Sequence, residues 1–181
     1  MKKVFDPRRL DVRALARAGG ELAGQWPLAG FERLCASLRA GDDGAVPGQV
    51  TWSARGAEVP VRGGASQTWL HLQARAPLPL ACQRCLGPMI EQAQIARSYQ
   101  FVADEAAAQA LDGEVEHEVL VLERELDLHA LAEDELLLDL PLVPRHAACP
   151  QPLPGADDAA AAAAVPESPF AALAALRNKT R

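Results

Sequence analysis

Two cysteines three positions apart stand near the middle of this 181-residue chain, in the stretch Cys82-Gln-Arg-Cys85-Leu-Gly87. As thiolates, such a pair can grip one tetrahedral zinc ion from a tight turn, and a glycine just beyond helps that turn. A closed structural site needs two more ligands, and His146-Ala-Ala-Cys149 has the spacing to supply them. About sixty residues separate the two pairs, more than in an ordinary zinc finger, so spacing alone leaves alternatives open. Reduced, packed thiols are one. A redox dithiol is another, but thioredoxin-like chemistry wants the motif between a strand and a helix N-terminus, and here strand-like runs lie on both sides. A zinc held by Cys82, Cys85, His146 and Cys149 would have no open position for a catalytic water, and would pin a helix end to a sheet. Cys35 falls on the apolar stripe of a predicted helix and reads as a packed core thiol.

No other constellation points to catalysis. The histidines are His71, His117, His129 and His146, and none sits in a nucleophile–base motif. His71 alternates along a strand and His129 opens an acidic helix, so both read as surface or edge residues. Arg62-Gly63-Gly64-Ala65-Ser66 is a hairpin-type turn, without the lysine or the strand-to-helix setting of a phosphate loop. The reading is a non-enzymatic protein with no small-molecule substrate.

The elements that must carry these residues follow from periodicity. Residues 8–18 place Leu10, Leu15 and Ala18 near one helical face before Gly19-Gly20 stops the run. Residues 21–27 form a short extended segment. Phe31, Leu34, Cys35 and Leu38 repeat at i, i+3, i+4 and i+7, which predicts a helix over 31–38. The period then changes to two. Val50, Trp52 and Ala54 alternate with polar neighbours, and Leu70, Leu72, Ala74 and Ala76 lie opposite Trp69, His71, Gln73 and Arg75. Residues 89–102 make a long strand with Ile95, Tyr99 and Phe101 on one side, and residues 118–122 add another. Asp127 is a predicted N-cap, followed by Leu128, Leu131, Glu135 and Leu138 at helical spacing, a stripe that Leu136 and Leu137 broaden, until Pro141. Glu133, Asp134 and Asp139 read as that helix's solvated face. The predicted fold class is α+β: an antiparallel sheet of four or five strands with packing helices, a flexible linker and a short C-terminal helix.

One domain spans residues 1–149, with a basic helical part over 1–40. Residues 150–167, rich in proline and alanine, form a disordered linker. Ser168-Pro169 then starts a basic amphipathic helix over 168–181, with Phe170, Leu173, Ala174 and Arg177 at i, i+3, i+4 and i+7. It either docks on a partner through Phe170, Leu173 and Arg177 or folds back on its own domain.

Composition narrows the class. Only three Trp, one Tyr and four Phe are present, so the core rests on Leu, Val and Ala. The net charge of −6 hides an asymmetry: residues 1–40 carry eight Lys/Arg against four Asp/Glu, and residues 104–167 carry two against sixteen. An acidic protein is a poor general nucleic-acid binder; the basic N-terminal segment is either an RNA contact or a plain solvated face. Neither a secretory signal nor an uncharged apolar run of about 20 residues is visible, which predicts a cytoplasmic protein that makes no membrane contact.

Two internal stretches and the terminus together carry a resemblance. Residues 79–89 (PLACQRCLGPM), residues 127–149 (DLHALAEDELLLDLPLVPRHAAC) and residues 168–179 (SPFAALAALRNK) resemble, in order, the YceD family of large ribosomal RNA subunit accumulation proteins. In residues 1–60 only Arg33-Leu34 echoes the family. The resemblance implies a ribosome-biogenesis factor needed for synthesis, processing or stability of 23S rRNA, with that RNA or large-subunit ribosomal proteins as partners. It does not imply catalysis. The family's paired Cys-x-Arg-Cys and Pro-Leu-Val-Pro-x-His…Cys segments support a shared site for Cys82, Cys85, His146 and Cys149. An adaptor acting through the C-terminal helix, with indirect effects on rRNA, is the alternative; a thiol oxidoreductase using Cys82 and Cys85 is a third reading.

Overall fold

Alternating burial along three consecutive strands decides the architecture. Val50, Trp52 and Ala54 are buried in β2 (Gln49–Val59), Leu70, Leu72, Ala74, Ala76 and Leu78 in β3 (Gln67–Ala81), and Ala93, Ile95, Tyr99 and Phe101 in β4 (Pro88–Val102). Successive strand residues point to opposite faces, so the sheet has one apolar and one polar face. The computed structural model, which describes residues 4–42, 44–111 and 113–150, adds β1 (Glu21–Pro27) and β5 (Glu118–Val121), giving a five-stranded sheet of order β1-β2-β3-β4-β5. The chain divides into two units, Met1–Arg145 and His146–Arg181, and these elements belong to the first.

The α+β class is as the sequence implies, but the sheet is mixed. β1 to β4 are antiparallel neighbours, whereas β5 runs parallel to β4, with Tyr99 opposite Glu118 and Val102 opposite Val121. Parallel neighbours need a crossover rather than a hairpin. That crossover contains α3 (Glu105–Leu111), an alanine-rich helix with no buried residue and hence no apolar period to reveal it.

Three further helices cover the apolar face or close its end. Asp11 caps α1 (Val12–Arg17) by accepting from the Ala14 amide at 2.8 Å. This helix packs on β2 and β3 so closely that a Cβ at Gly56 would lie 2.6 Å from the Ala16 nitrogen. The predicted helix over 31–38 shortens to α2 (Glu32–Cys35), although Phe31 and Leu34 are buried as its spacing requires. Asp127 caps α4 (Leu128–Leu138) through the amides of His129 and Ala130. Among the described residues no helix is long and apolar enough to cross a membrane.

Two readings of α4 are corrected. Its buried stripe is Leu128, Ala132 and Leu136, four apart, and Leu138 is exposed. Glu133 and Glu135 flank that stripe at 7% exposure each, so the acidic face is not simply solvated. His129 is not an edge residue either. It is buried, with its ring 3.9 Å from that of Phe31 and nearly parallel, at the end of a cluster with Trp26, which stacks on Trp52 at 4.2 Å.

The charge asymmetry is resolved inside the fold. Arg9 makes a two-pronged pair with Glu125 at 2.8 and 2.9 Å, Arg8 meets Asp127, Arg17 meets Glu58, and Arg33 meets Glu133 and Asp134. The N-terminal segment is laced to the stretch before α4 by the Leu10–Leu126 bridge and by the Leu128 amide donating to the Pro7 carbonyl. Its arginines are therefore largely engaged with this chain's own carboxylates.

Candidate metal centre

The Cys82-x-x-Cys85 motif forms the hairpin between β3 and β4. Pairing closes at Ala81 opposite Pro88, and within the turn the Cys82 amide donates to the Gly87 carbonyl at 2.9 Å. The Leu86 amide donates to the Cys82 carbonyl at 2.8 Å. The left-handed residue is Leu86, at φ +57°, not the glycine after it. A non-glycine residue there costs on the order of 1–2 kcal/mol, which the surrounding hydrogen bonds must offset. Two come from elsewhere: the Gln83 amide donates to the Pro144 carbonyl at 2.8 Å, and the Arg39 guanidinium donates to the Leu86 carbonyl at 3.3 Å. The first of these holds the chain that leads into His146.

The ligand atoms of Cys82, Cys85, His146 and Cys149 lie within 4.8 Å of one another, Cys82 buried and the other three half-buried. A tetrahedral zinc with Zn–S bonds near 2.3 Å and Zn–N near 2.0 Å needs donors roughly 3.5–3.8 Å apart. Three sulfurs and one imidazole at this spacing fit that ion after a small contraction, and the set could hold a metal. Softness of the donors favours zinc over magnesium or calcium, which prefer oxygen. The motif also lies between two strands, not at the helix N-terminus that a thioredoxin-like dithiol uses.

Cys35 stands apart from the cluster. Its thiol is half-buried and donates to the Leu28 carbonyl at 3.2 Å; burial, with the Glu133 carboxylate, pushes it up from the ordinary thiol value. Phe170, Leu173 and Arg177, together with residues 151–167 of the predicted linker over 150–167, lie outside the described residues.

Sequence periodicity missed the polar groups that lock the body around this site. Glu133 Oε1 accepts from the backbone amides of Arg33 at 2.8 Å and Leu34 at 3.1 Å, while Oε2 accepts from the Arg33 guanidinium at 3.0 and 3.1 Å. Burial opposes ionisation of Glu133, yet these donors together hold its carboxyl below the usual carboxylate value. Glu135 accepts from the Tyr99 hydroxyl at 2.7 Å and from Arg97 at 2.9 Å. Burial and the adjacent carboxylate push the Tyr99 phenol far up, so it stays protonated as a donor. The one available signal was that both glutamates flank a stripe repeating every four residues.

No solved structure matches the chain significantly. The family model described as large ribosomal RNA subunit accumulation protein YceD matches residues 70–177. That span takes in most of β3, the cysteine hairpin, β4, α4 and the His146–Cys149 pair, and leaves out α1, β1, α2 and β2. It covers well over half of the sequence, and the chain belongs to the YceD family of large ribosomal RNA subunit accumulation proteins.

Proposed function

We propose that this protein is a cytoplasmic, non-catalytic accessory factor that promotes accumulation of 23S rRNA during assembly of the large ribosomal subunit. The observation that carries the reading is the family match across the cysteine hairpin and α4. The non-catalytic part is supported by what the buried polar groups around α4 do. Glu133, Glu135 and Tyr99 are each committed to partners within the fold, as structural carboxylates and hydroxyls are. Deleting the gene should lower mature 23S rRNA relative to 16S. An unchanged ratio with normal large subunits on gradients would remove the reading.

The same proposal assigns one structural zinc to Cys82, Cys85, His146 and Cys149. The support is the donor set, three thiols and an imidazole within 4.8 Å. Protein purified without a polyhistidine tag should carry near-stoichiometric zinc that Cys82→Ser removes. Metal-free protein with an unchanged melting curve in chelator would rule the zinc out.

A further inference from the structure

The polar face of the sheet has a chemistry of its own. Cross-strand pairing sets Arg75 beside Gln94, then Gln73 one row on, then His71 beside Arg55, then Trp69. At about 3.4 Å per residue, Arg75 and Trp69 are about 20 Å apart along β3. A shallow trough of about 400 Å³ runs over the Gln73 and Arg75 rows and continues into a second hollow of about 270 Å³ at Arg55 and His71. At the far end, the Trp69 ring meets His117 at 4.5 Å and lies within 11° of parallel to His71, 6.2 Å away.

Charge marks this face. Among the described residues Arg55 and Arg75 have no carboxylate partner, in common with Arg13, Arg39, Arg62, Arg124 and Arg145, whereas Arg8, Arg9, Arg17, Arg33 and Arg97 all have one. Glu21, opposite Arg55, is the one acid directed outward from β1 to β4. Two arginines against one glutamate make the face net positive in a protein whose net charge is −6.

We propose that this face binds single-stranded RNA, a reading that rests on the rRNA role above and gives it a site. Arg55 and Arg75 meet phosphates, Trp69 and His71 offer a base a ring to stack on, and the amides of Gln73 and Gln94 reach base edges. Open sheets that stack two or three unpaired bases on aromatic side chains recognise RNA in this way. Two arginines are too few to hold a duplex through its backbone alone. A protein partner would want an apolar centre, and the middle of this face carries Gln73.

The test uses the full chain and a fluorescein-labelled single-stranded RNA of about a dozen nucleotides, with a duplex of equal length as control. Anisotropy should report binding at about 50 mM salt that weakens about sevenfold by about 200 mM. Arg55→Ala with Arg75→Ala, two exposed sites that leave the core intact, should weaken binding at least about tenfold and flatten the salt slope by roughly 1.4. Trp69→Leu should weaken it about tenfold with the slope unchanged. Absence of binding, equal binding of the duplex, or a double-arginine variant that binds like the parent would overturn the proposal. So would a photocrosslinking amino acid, incorporated during synthesis in place of Gln73, that captures ribosomal protein and not RNA in cells. If deletion lowers the 23S to 16S ratio while this face ignores RNA, only the present inference fails.

Discussion

Replacing Glu133 with alanine should destabilise the protein far more than replacing the arginine it pairs with. The carboxylate does two jobs: one oxygen caps the start of α2 through the Arg33 and Leu34 amides, and the other receives the Arg33 guanidinium. A side-chain cap is worth about 0.5–2 kcal/mol, and a hydrogen bond to a charged group about 1.5–3 kcal/mol. Leu34 is fully buried, so its amide finds no water when the carboxylate goes. Together these give about 3 kcal/mol for Glu133→Ala. The Arg33 side chain is 55% exposed and is rehydrated on losing its partner, so Arg33→Ala should cost about 1 kcal/mol or less. At about 2–4 °C per kcal/mol for a chain of this size, Tm should fall by about 6–12 °C for the first variant and by a few degrees at most for the second. Glu133→Gln, which keeps an acceptor for the amides, should fall between them. Melting followed by circular dichroism at pH 7 reads all three. Equal losses for Glu133→Ala and Arg33→Ala would mean that the ion pair, and not the cap, holds α2 to α4, and the reasoning would be refuted.

Acid should destabilise the fold in two steps. Burial, helped by Arg8, holds the His129 imidazole below its ordinary value, so its share of stability is complete above about pH 6.5 and is lost as pH falls through the folded value. Glu133 also sits below its unfolded value, and its share is intact above about pH 4.5 and lost on further acidification. Urea midpoints between pH 8 and 3 should show both steps, and a flat profile from pH 7.5 to 5.5 would contradict the first. Gly56→Ala should cost about 1–3 kcal/mol, because the new Cβ meets the backbone of Leu15 and Ala16; an unchanged Tm would show that α1 can retreat freely.

What was legible in the sequence follows from which residues carry a period. Strands β2 and β3 alternate almost throughout and β4 does so as far as Ile95, and Asp127 followed by Leu128 announces α4. Helix α3 buries nothing, so no apolar repeat could mark it, and the parallel entry of β5 went unread with it. Of the metal cluster, residue types and local spacing were legible. The closeness of the two pairs was not, because it depends on contacts such as Gln83 to Pro144 that no local pattern encodes. The burial of His129 escaped for a similar reason: its neighbours Trp26 and Phe31 lie about a hundred positions earlier in the chain.

The acidic run around α4 gains its meaning only in the fold. Asp127 caps its own helix and meets Arg8; Glu133 and Asp134 hold Arg33; Glu135 holds Arg97 and Tyr99; Asp139 accepts from the Gln94 amide on β4 at 3.1 Å. β5 pairs with β4 only from Tyr99 onward, so Gln94 lies on an otherwise open strand edge, the place where sheets are prone to add foreign strands. Asp139 blunts it with a charge. A run that looks like a solvated face is thus a row of clamps, each fixing one element to one side of the sheet. The consequence is a division of labour between faces. Carboxylates gather Arg8, Arg9, Arg33 and Arg97 on the helical side, and among the described residues Arg55 and Arg75 have no carboxylate partner on the other. An acidic protein can in this way present a locally positive surface, because its negative charge is spent on its own architecture.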